Sequence, residues 1–260
     1  MKTCALASGS SGNCFYVEHD KTCFLVDAGI SSRQIIQRLA SIGRRAAALS
    51  AIFITHEHID HVRGVDALAR KFSLPVFLTP KCHAGYRDIC TDQTLVRHIE
   101  KDTVFKFGGV RILPFSKNHD ACDPVSYAIM ANDSKVSVMT DIGSVTASVV
   151  THLRDSNIVY LESNHDVAML EQGPYPEYLK GRILSDRGHL SNLAAARLVE
   201  EHGTARLKHL VLSHLSESNN SRAIALRTMK EQLASRSDLG RVVVSVSGRH
   251  QPTALMVTWL

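Results

Sequence analysis

The segment from Ser50 to His61 constrains this chain more than any other, because an apolar run leads directly into a cluster of histidine and aspartate. Residues 51–54 have the length and composition of a buried strand, which Thr55 ends. Four potential metal ligands follow within six positions: His56, His58, Asp60 and His61. Imidazole and carboxylate are ligands for zinc, manganese and iron. The segment therefore predicts a metal site at a strand end.

The spacing of these ligands favours an extended turn over a helix. Alternation at positions 56, 58 and 60 suits extended backbone, whereas a helical HExxH site places its two histidines four residues apart. The chain has only 14 histidines in 260 residues. Three of them within six positions are therefore a poor fit to a solvated loop in which histidines occur by chance. A mixed set of His and Asp also indicates two ions, which would need further ligands and a bridging carboxylate from downstream.

Composition is that of a globular α/β protein. With 260 residues, 44% of them hydrophobic, the chain can fill a large core, and we expect one domain over residues 1–260.

The first apolar stretch is too short for a secretion signal and no 18-residue apolar run follows, so we expect a cytoplasmic protein with no membrane partner. Six cysteines without CxxC spacing indicate reduced core residues, and a net charge of +5 is compatible with nucleic acid as substrate.

Further acids and histidines follow other predicted strands. They are Asp27 after the strand 22–26, His119 in the turn after Phe115, Asp141 after the strand 136–140, and His214 after the strand 207–212. A strand-end cap is the ordinary explanation for one such aspartate, and a surface position is the ordinary explanation for one such histidine. Here an acid or a histidine follows four different strands, and the cluster at 56–61 requires further metal ligands. We therefore favour one shared metal site at the ends of these strands.

Helical spacing alternates with the strands. Apolar positions predict helices over 31–42, 62–72, 79–90, 193–202 and 217–235, and closing strands over 241–246 and 254–259. Ser191 or Asn192 is a natural N-cap for the fourth of these helices. His189 then lies just outside a helix N-terminus, a location suited to phosphate oxygens.

The motif Thr55-His56-x-His58-x-Asp60-His61 resembles the signature of the metallo-β-lactamase-fold hydrolases, in which residue types and spacing are both fixed. The residues at the other strand ends match the remaining motifs of that fold in order: Asp27, His119, Asp141 and His214. The resemblance implies an α/β fold, specifically a four-layer αββα sandwich, that carries a two-metal hydrolase site.

The resemblance also implies a role for each residue. One ion would be held by His56, His58 and His119, and a second by Asp60, His61 and His214. Asp141 would bridge the two ions, and Asp27 would orient a ligand imidazole from behind. The two ions would be zinc, manganese or iron, and the chemistry would be hydrolysis by a metal-bound hydroxide.

Asp60 and His189 are the candidate catalytic residues, and Ser191 and Asn192 are the candidate substrate contacts. In phosphodiesterase relatives such as tRNase Z, a histidine outside the metal set protonates the leaving oxygen or holds the phosphate, and His189-Leu190-Ser191 resembles that element. A helix-start histidine bonded to a neighbour is the competing explanation for His189, and the sequence favours neither.

Five stretches resemble the bacterial YycJ/WalJ-type subfamily of these hydrolases: 7–13, 119–124, 162–166, 188–192 and 214–216. That resemblance implies a DNA exonuclease that cuts from the five-prime end and is connected with DNA repair. A thioester or lactone hydrolase of the same fold is the alternative. A metal-bound regulatory protein is a third, disfavoured hypothesis, because no metal ligand is missing. We expect weak sequence preference, since no base-reading helix or aromatic platform is evident.

Overall fold

Short strands with alternating apolar side chains and amphipathic helices follow one another along the chain. The computed structural model describes residues 1–258, and in that range it contains fourteen strands and nine α-helices. The strands are β1 (Lys2–Ala7), β2 (Cys14–His19), β3 (Thr22–Val26), β4 (Ala51–Phe53), β5 (Val76–Leu78), β6 (Val96–His98), β7 (Phe105–Phe107), β8 (Val110–Ser116), β9 (Val125–Ala131), β10 (Ser134–Met139), β11 (Ile158–Glu162), β12 (His209–Ser213), β13 (Val243–Val246) and β14 (Met256–Val257). The helices are α1 (Ser32–Ser41), α2 (Ile59–Val62), α3 (Val65–Phe72), α4 (Pro80–Gly85), α5 (Ala147–Arg154), α6 (Val167–Gln172), α7 (Glu177–Leu184), α8 (Asn192–His202) and α9 (Arg222–Leu233).

The strands of residues 1–258 pair into two sheets of seven strands each. Sheet 1 has the order β14-β1-β2-β3-β4-β5-β6, and sheet 2 has the order β13-β12-β11-β10-β9-β8-β7. Strands β3 to β6 run parallel in sheet 1, and strands β10 to β13 run parallel in sheet 2. Because parallel strands end at the same edge of a sheet, each sheet gathers several carboxyl ends along one edge.

The inner faces of the two sheets pack against each other through large aromatic side chains. Phe15 of β2 lies 4.9 Å from Tyr160 of β11, and Phe53 of β4 lies 5.9 Å from Tyr127 of β9, measured between ring centroids. All four side chains are fully buried. Rings at these separations give a close-packed apolar layer, which aligns the edges of the two sheets.

The outer faces are covered by helices. On sheet 1, α1 buries Ile35 and Leu39, and α3 buries Leu68, in one apolar cluster. On sheet 2, α5, α8 and α9 bury a second cluster that includes Leu153 and Met229. The layers therefore run helix, sheet, sheet, helix, which confirms the predicted four-layer αββα sandwich. No helix among residues 1–258 is long and apolar enough to cross a membrane.

The structure departs from the sequence predictions mainly in its short helices. The helix predicted over 62–72 divides into α2 and α3 at Gly64, where a Cβ atom would lie 2.2 Å from the Ile30 carbonyl oxygen. The helices predicted over 79–90 and 217–235 are shorter, and α5 and α7 were not predicted. Helix α7 contains Gly181 and buries only Ile183, which leaves little apolar periodicity. Of the strand predicted over 254–259, Trp259 lies outside the described residues.

Candidate metal centre

Three strand ends turn by the same backbone conformation and direct their side chains to one place. Asp27 follows β3, Asp141 follows β10 after one residue, and His214 follows β12, with φ angles of 59°, 57° and 56°. This left-handed conformation costs a non-glycine residue roughly 1–2 kcal/mol. Its repetition at three strand ends shows that the surrounding structure stabilises a strained turn where functional side chains cluster.

The first donor cluster consists of His56, His58 and His119. His58 Nδ1 lies 3.1 Å from His56 Nε2 and 3.4 Å from His119 Nε2. The opposite nitrogens are held by the protein, since His56 Nδ1 lies 2.9 Å from Thr55 Oγ1 and His119 Nδ1 donates to the Gly188 carbonyl at 3.2 Å. Three nitrogens from two loops therefore converge on one point.

The second donor cluster consists of Asp60, His61 and His214. Asp60 Oδ2 lies 3.4 Å from both His61 Nε2 and His214 Nε2. The His61 side chain is fully buried, whereas 18% of the Asp60 side chain is exposed. Solvent therefore reaches this cluster at Asp60 and not at His61.

Asp141 lies between the two clusters. Its Oδ2 is 3.2 Å from His61 Nε2, and its Oδ1 is 3.4 Å from His214 Nε2 and 3.8 Å from His119 Nε2. The Asp141 side chain is 98% buried, yet its Oδ2 accepts no hydrogen bond of acceptable geometry. The nearby His61 Nε2 is not aligned to donate one. A buried carboxylate oxygen without a donor is costly, and a cation would satisfy it.

Asp27 lies directly behind His61. Its Oδ2 is 2.7 Å from His61 Nδ1, and its Oδ1 accepts a hydrogen bond from the backbone N–H of Thr55 at 2.8 Å. The carboxylate therefore fixes the imidazole so that Nε2 faces Asp60 and Asp141. This is the contact that an orienting role requires.

Asp60 and His61 lie in the short helix α2, whereas an extended turn was predicted, and only His56 and His58 precede that helix. Helix α2 is clamped by residues 13 and 28–29. Asn13 N donates to the Asp60 carbonyl and Ala28 N donates to the His61 carbonyl, both at 2.8 Å. A Cβ atom on Gly29 would lie 1.6 Å from the Asp60 carbonyl oxygen, so only glycine allows this approach. Backbone packing, not the ligands alone, positions α2.

Glu162, at the end of β11, links the second cluster to His189. Its Oε1 accepts hydrogen bonds from Nδ1 of both His189 and His214, each at 2.8 Å. Its Oε2 accepts from the backbone N–H groups of Ile142 at 2.7 Å and Leu190 at 3.0 Å. No role was predicted for Glu162 from the sequence, where the only available signal was an acid that ends an apolar strand, as at Asp27.

Lys117 is a second functional candidate that the sequence analysis missed. It is 5% exposed, and its ammonium group donates to the Thr140 carbonyl at 2.7 Å, next to Asp141. Burial lowers the pKa of Lys117, while the carboxylates of Asp141 and Asp27 oppose that shift. The buried cation therefore anchors the strand end that presents Asp141.

Of the candidate catalytic and substrate residues, His189 lies at the centre and Asn192 does not. The ring centroid of His189 is 5.2 Å from those of His119 and His214. Asn192 is 2% exposed, and its amide is bonded to Ser163 and Asn220. Its side chain faces the interior, so the structure gives no support to its assignment as a substrate contact, which stays a prediction.

Ser191 is the N-cap of α8. Its hydroxyl oxygen accepts a hydrogen bond from the backbone N–H of Ala194 at 3.1 Å. The capping role predicted for this position is thus present, and the hydroxyl hydrogen is not used by that bond. Ser191 stays a candidate substrate contact.

The donor atoms suit divalent cations. Burial lowers the pKa of His56 well below its usual value and that of His119 to about 3, so both imidazoles are neutral at pH 7 and offer lone pairs. Burial also tends to lower the pKa of His214, but Asp141 and the neighbouring carboxylates raise it to about 10. The second cluster therefore attracts positive charge. Mixed imidazole and carboxylate donors around such a point fit zinc, manganese or iron.

The fold and the clustered His and Asp side chains define the class of the protein. The sequence matches the β-lactamase superfamily domain over residues 22–215. The metallo-β-lactamase fold protein YhfI from Bacillus subtilis superposes with a TM-score of 0.72 at 16% identity, over 97% of this chain and 98% of YhfI, a likeness of fold.

Two curated relatives narrow the class. Exodeoxyribonuclease WalJ of Streptococcus pneumoniae serotype 2 (strain D39) is 40% identical over 244 residues, which cover 92% of this chain and 90% of WalJ. Exodeoxyribonuclease YycJ of Bacillus anthracis is 38% identical over 232 residues, which cover 88% of this chain and 87% of YycJ. The chain therefore belongs to the WalJ/YycJ family of the β-lactamase superfamily.

Proposed function

We propose that the protein is a two-metal phosphodiesterase that degrades DNA from an end in the five-prime to three-prime direction. The observation that carries the two-metal site is the position of Asp141, whose carboxylate oxygens lie 3.2 to 3.8 Å from nitrogens of both donor clusters. The choice of DNA as substrate is supported by the exodeoxyribonuclease names of the relatives WalJ and YycJ.

The proposed ligand sets follow the two clusters. His56, His58 and His119 would hold one ion, Asp60, His61 and His214 would hold the other, and Asp141 lies beside both sets. When bound, zinc, manganese or iron at these positions supplies Lewis-acid activation of the phosphate and of the attacking water. Asp27 and Glu162 keep the imidazoles of His61 and His214 in the orientation that binding requires.

Asp60 is the carboxylate suited to act on the attacking water. Its side chain is 18% exposed, whereas that of Asp141 is 2% exposed. The surrounding histidines hold the pKa of Asp60 well below its usual range in spite of burial, so the group is ionised and can accept a hydrogen bond from water. Asp60 would thus both contribute a ligand to the second ion and orient the attacking water.

His189 is suited to protonate the leaving oxygen. Because Glu162 Oε1 accepts the Nδ1–H of His189 at 2.8 Å, the ring presents Nε2 as the nitrogen that gains or loses the catalytic proton. The His189 side chain is 16% exposed, so the ring can reach a bound substrate. The same geometry would serve to hold a phosphate oxygen, and leaving-group dependence separates the two roles.

The proposal is tested by offering metal-loaded protein a linear duplex labelled at one five-prime end, a closed circular duplex and a thioester. We expect the linear duplex to shorten from its end and the circle to stay intact. Equal cutting of the circle would make the protein an endonuclease, and hydrolysis of the thioester alone would favour the alternative hydrolase. Asp141→Asn should lose DNA cleavage, whereas Asp238→Asn, at a side chain 50% exposed, should keep it.

A further inference from the structure

The segment 177–189 runs along the rim of the metal centre. It contains α7, continues through Arg187, and ends at His189. Arg182 of α7 forms an ion pair with Asp120 at 2.5 Å between Nε and Oδ2, and the other oxygen of Asp120 lies 3.3 Å from His119 Nε2. Helix α7 is thus two contacts away from a proposed metal ligand.

Arg187 fixes the same segment closer to the centre. Its Nη2 and Nε donate to the His119 carbonyl at 3.2 and 3.3 Å, and no carboxylate lies within ion-pair distance of it in residues 1–258. A carbonyl orients a guanidinium without neutralising its charge. Arg187 therefore keeps a full positive charge at the edge of the site.

Tyr178 is the unusual feature of α7. It is 79% exposed, the largest value among the exposed large apolar and aromatic side chains of the described chain. Its hydroxyl takes part in none of the side-chain hydrogen bonds found for residues 1–258. Tyrosine buries a large apolar ring when it stabilises a fold, so Tyr178 contributes little to this one.

Helix geometry places Tyr178 on the same side as Arg182. Residues four apart share one face of a helix, and they are separated by about 6 Å along its axis. Ile183 is the buried position of α7 and Leu179 is half-buried, so the pair formed by Tyr178 and Arg182 lies on the flank that contacts Asp120. Arg187 and Arg182 are bonded to His119 and Asp120, and Tyr178 lies about one helical turn from Arg182.

We propose that Tyr178, Arg182 and Arg187, here called the α7 stripe, bind the single-stranded end of DNA as it approaches the metal centre. The ring of Tyr178 stacks on an unpaired base, and the unpaired guanidinium group of Arg187 contacts a backbone phosphate. Arg182, whose Nε is bonded to Asp120, contacts a phosphate only through its remaining N–H groups. A basic track with an exposed aromatic side chain is the general solution for single-stranded nucleic acid, because every base offers a π-face to stack on. The proposal rests on the nuclease function proposed above.

The α7 stripe favours a single strand over a duplex. In a duplex the faces of the bases are covered by their neighbours, so an exposed ring gains stacking energy only with an unpaired or terminal base. Tyr178 would supply an aromatic contact that the sequence did not predict. Stacking is tolerant of sequence, so the expectation of weak sequence preference is retained.

The test measures binding of a nuclease-resistant phosphorothioate single strand to wild-type protein and three variants. Tyr178→Ala should weaken binding by roughly 5- to 150-fold, as expected for one lost stacking contact, and Tyr178→Phe should stay within about twofold of wild type. Val243→Ala, which alters a side chain 54% exposed on the edge strand β13, should bind as wild type does.

A scan with single abasic sites supplies the second arm. In wild type, one abasic position should weaken binding by about the same factor as Tyr178→Ala, and the variant should be insensitive at that position. Equal binding by wild type and Tyr178→Ala, a loss in Tyr178→Phe as large as in Tyr178→Ala, or no binding of single strands by wild type would overturn the α7 stripe. Wild-type protein that binds the strand yet never shortens ordinary DNA would instead overturn the proposed nuclease function.

Discussion

Glu162 and His189 are joined by a hydrogen bond of 2.8 Å between Oε1 and Nδ1, and the same oxygen accepts an equally short bond from His214 Nδ1. One buried carboxylate therefore orients both a proposed metal ligand and the proposed proton donor. The histidines hold the pKa of Glu162 at about 2 against the effect of burial, so the group is an acceptor throughout the working pH range. Positions of ligand and proton donor are consequently coupled through a single side chain.

His189→Ala should retain its metal ions and cleave an ordinary phosphodiester slower by roughly 10²–10⁴-fold, the contribution of a general acid. The deficit should shrink with a nitrophenolate leaving group, which departs without a proton. Steady-state rates on both substrates, with metal content as the control, check this. Equal losses on the two substrates would mean that His189 positions the phosphate or supports the fold.

Lys117→Met should destabilise the metal-free protein by about 1.5–3 kcal/mol, because it removes the charged hydrogen bond to the Thr140 carbonyl and a buried positive charge that acts on the carboxylates of Asp141 and Asp27. The loss should be smaller with zinc present, since bound cations supply positive charge to the same carboxylates. Urea unfolding with zinc and with chelator measures both values, and Lys230→Met, on an exposed face of α9, is the control. An identical loss in both conditions would contradict the assigned role.

His152 should make the protein sensitive to acid. Burial against Phe115, with ring centroids 4.2 Å apart, and the ammonium of Lys135 lower the pKa of His152 to about 4. The unfolded state, with a pKa near 6.5, binds more protons between these values, so stability falls as pH drops from about 6.5 to about 4. His152→Gln should flatten this part of the stability curve, and His250→Gln, at an exposed position, should not. Unfolding free energies across that range check it.

The strand ends that form the site were predictable because their residue types are unusual after apolar strands. Asp27, His119, Asp141 and His214 are distant in sequence, yet the structure brings them to the cluster that begins at His56. The sequence could not assign Glu162 or Lys117, since an acid or a lysine beside a strand is more often solvated. Only the packing of the two sheets shows that both are buried.

Two other features could not be predicted, for equally local reasons. Asn192 has the pattern of a helix start, but that pattern does not tell whether its amide faces the substrate or Ser163 and Asn220. Helix α7 was not predicted because its apolar periodicity is weak, so the sequence did not place Tyr178 on a helix. The direction of a side chain and a helix that buries one residue both depend on tertiary structure.

In the proposed site, Asp141 would hold two metal ions together. Elemental analysis of purified wild-type protein and of Asp141→Asn tests this, with Asp238→Asn as the control. We expect about two transition-metal ions per chain in wild type and in the control, and loss of metal together with activity in Asp141→Asn. One ion per chain in wild type, unchanged in Asp141→Asn, would contradict it.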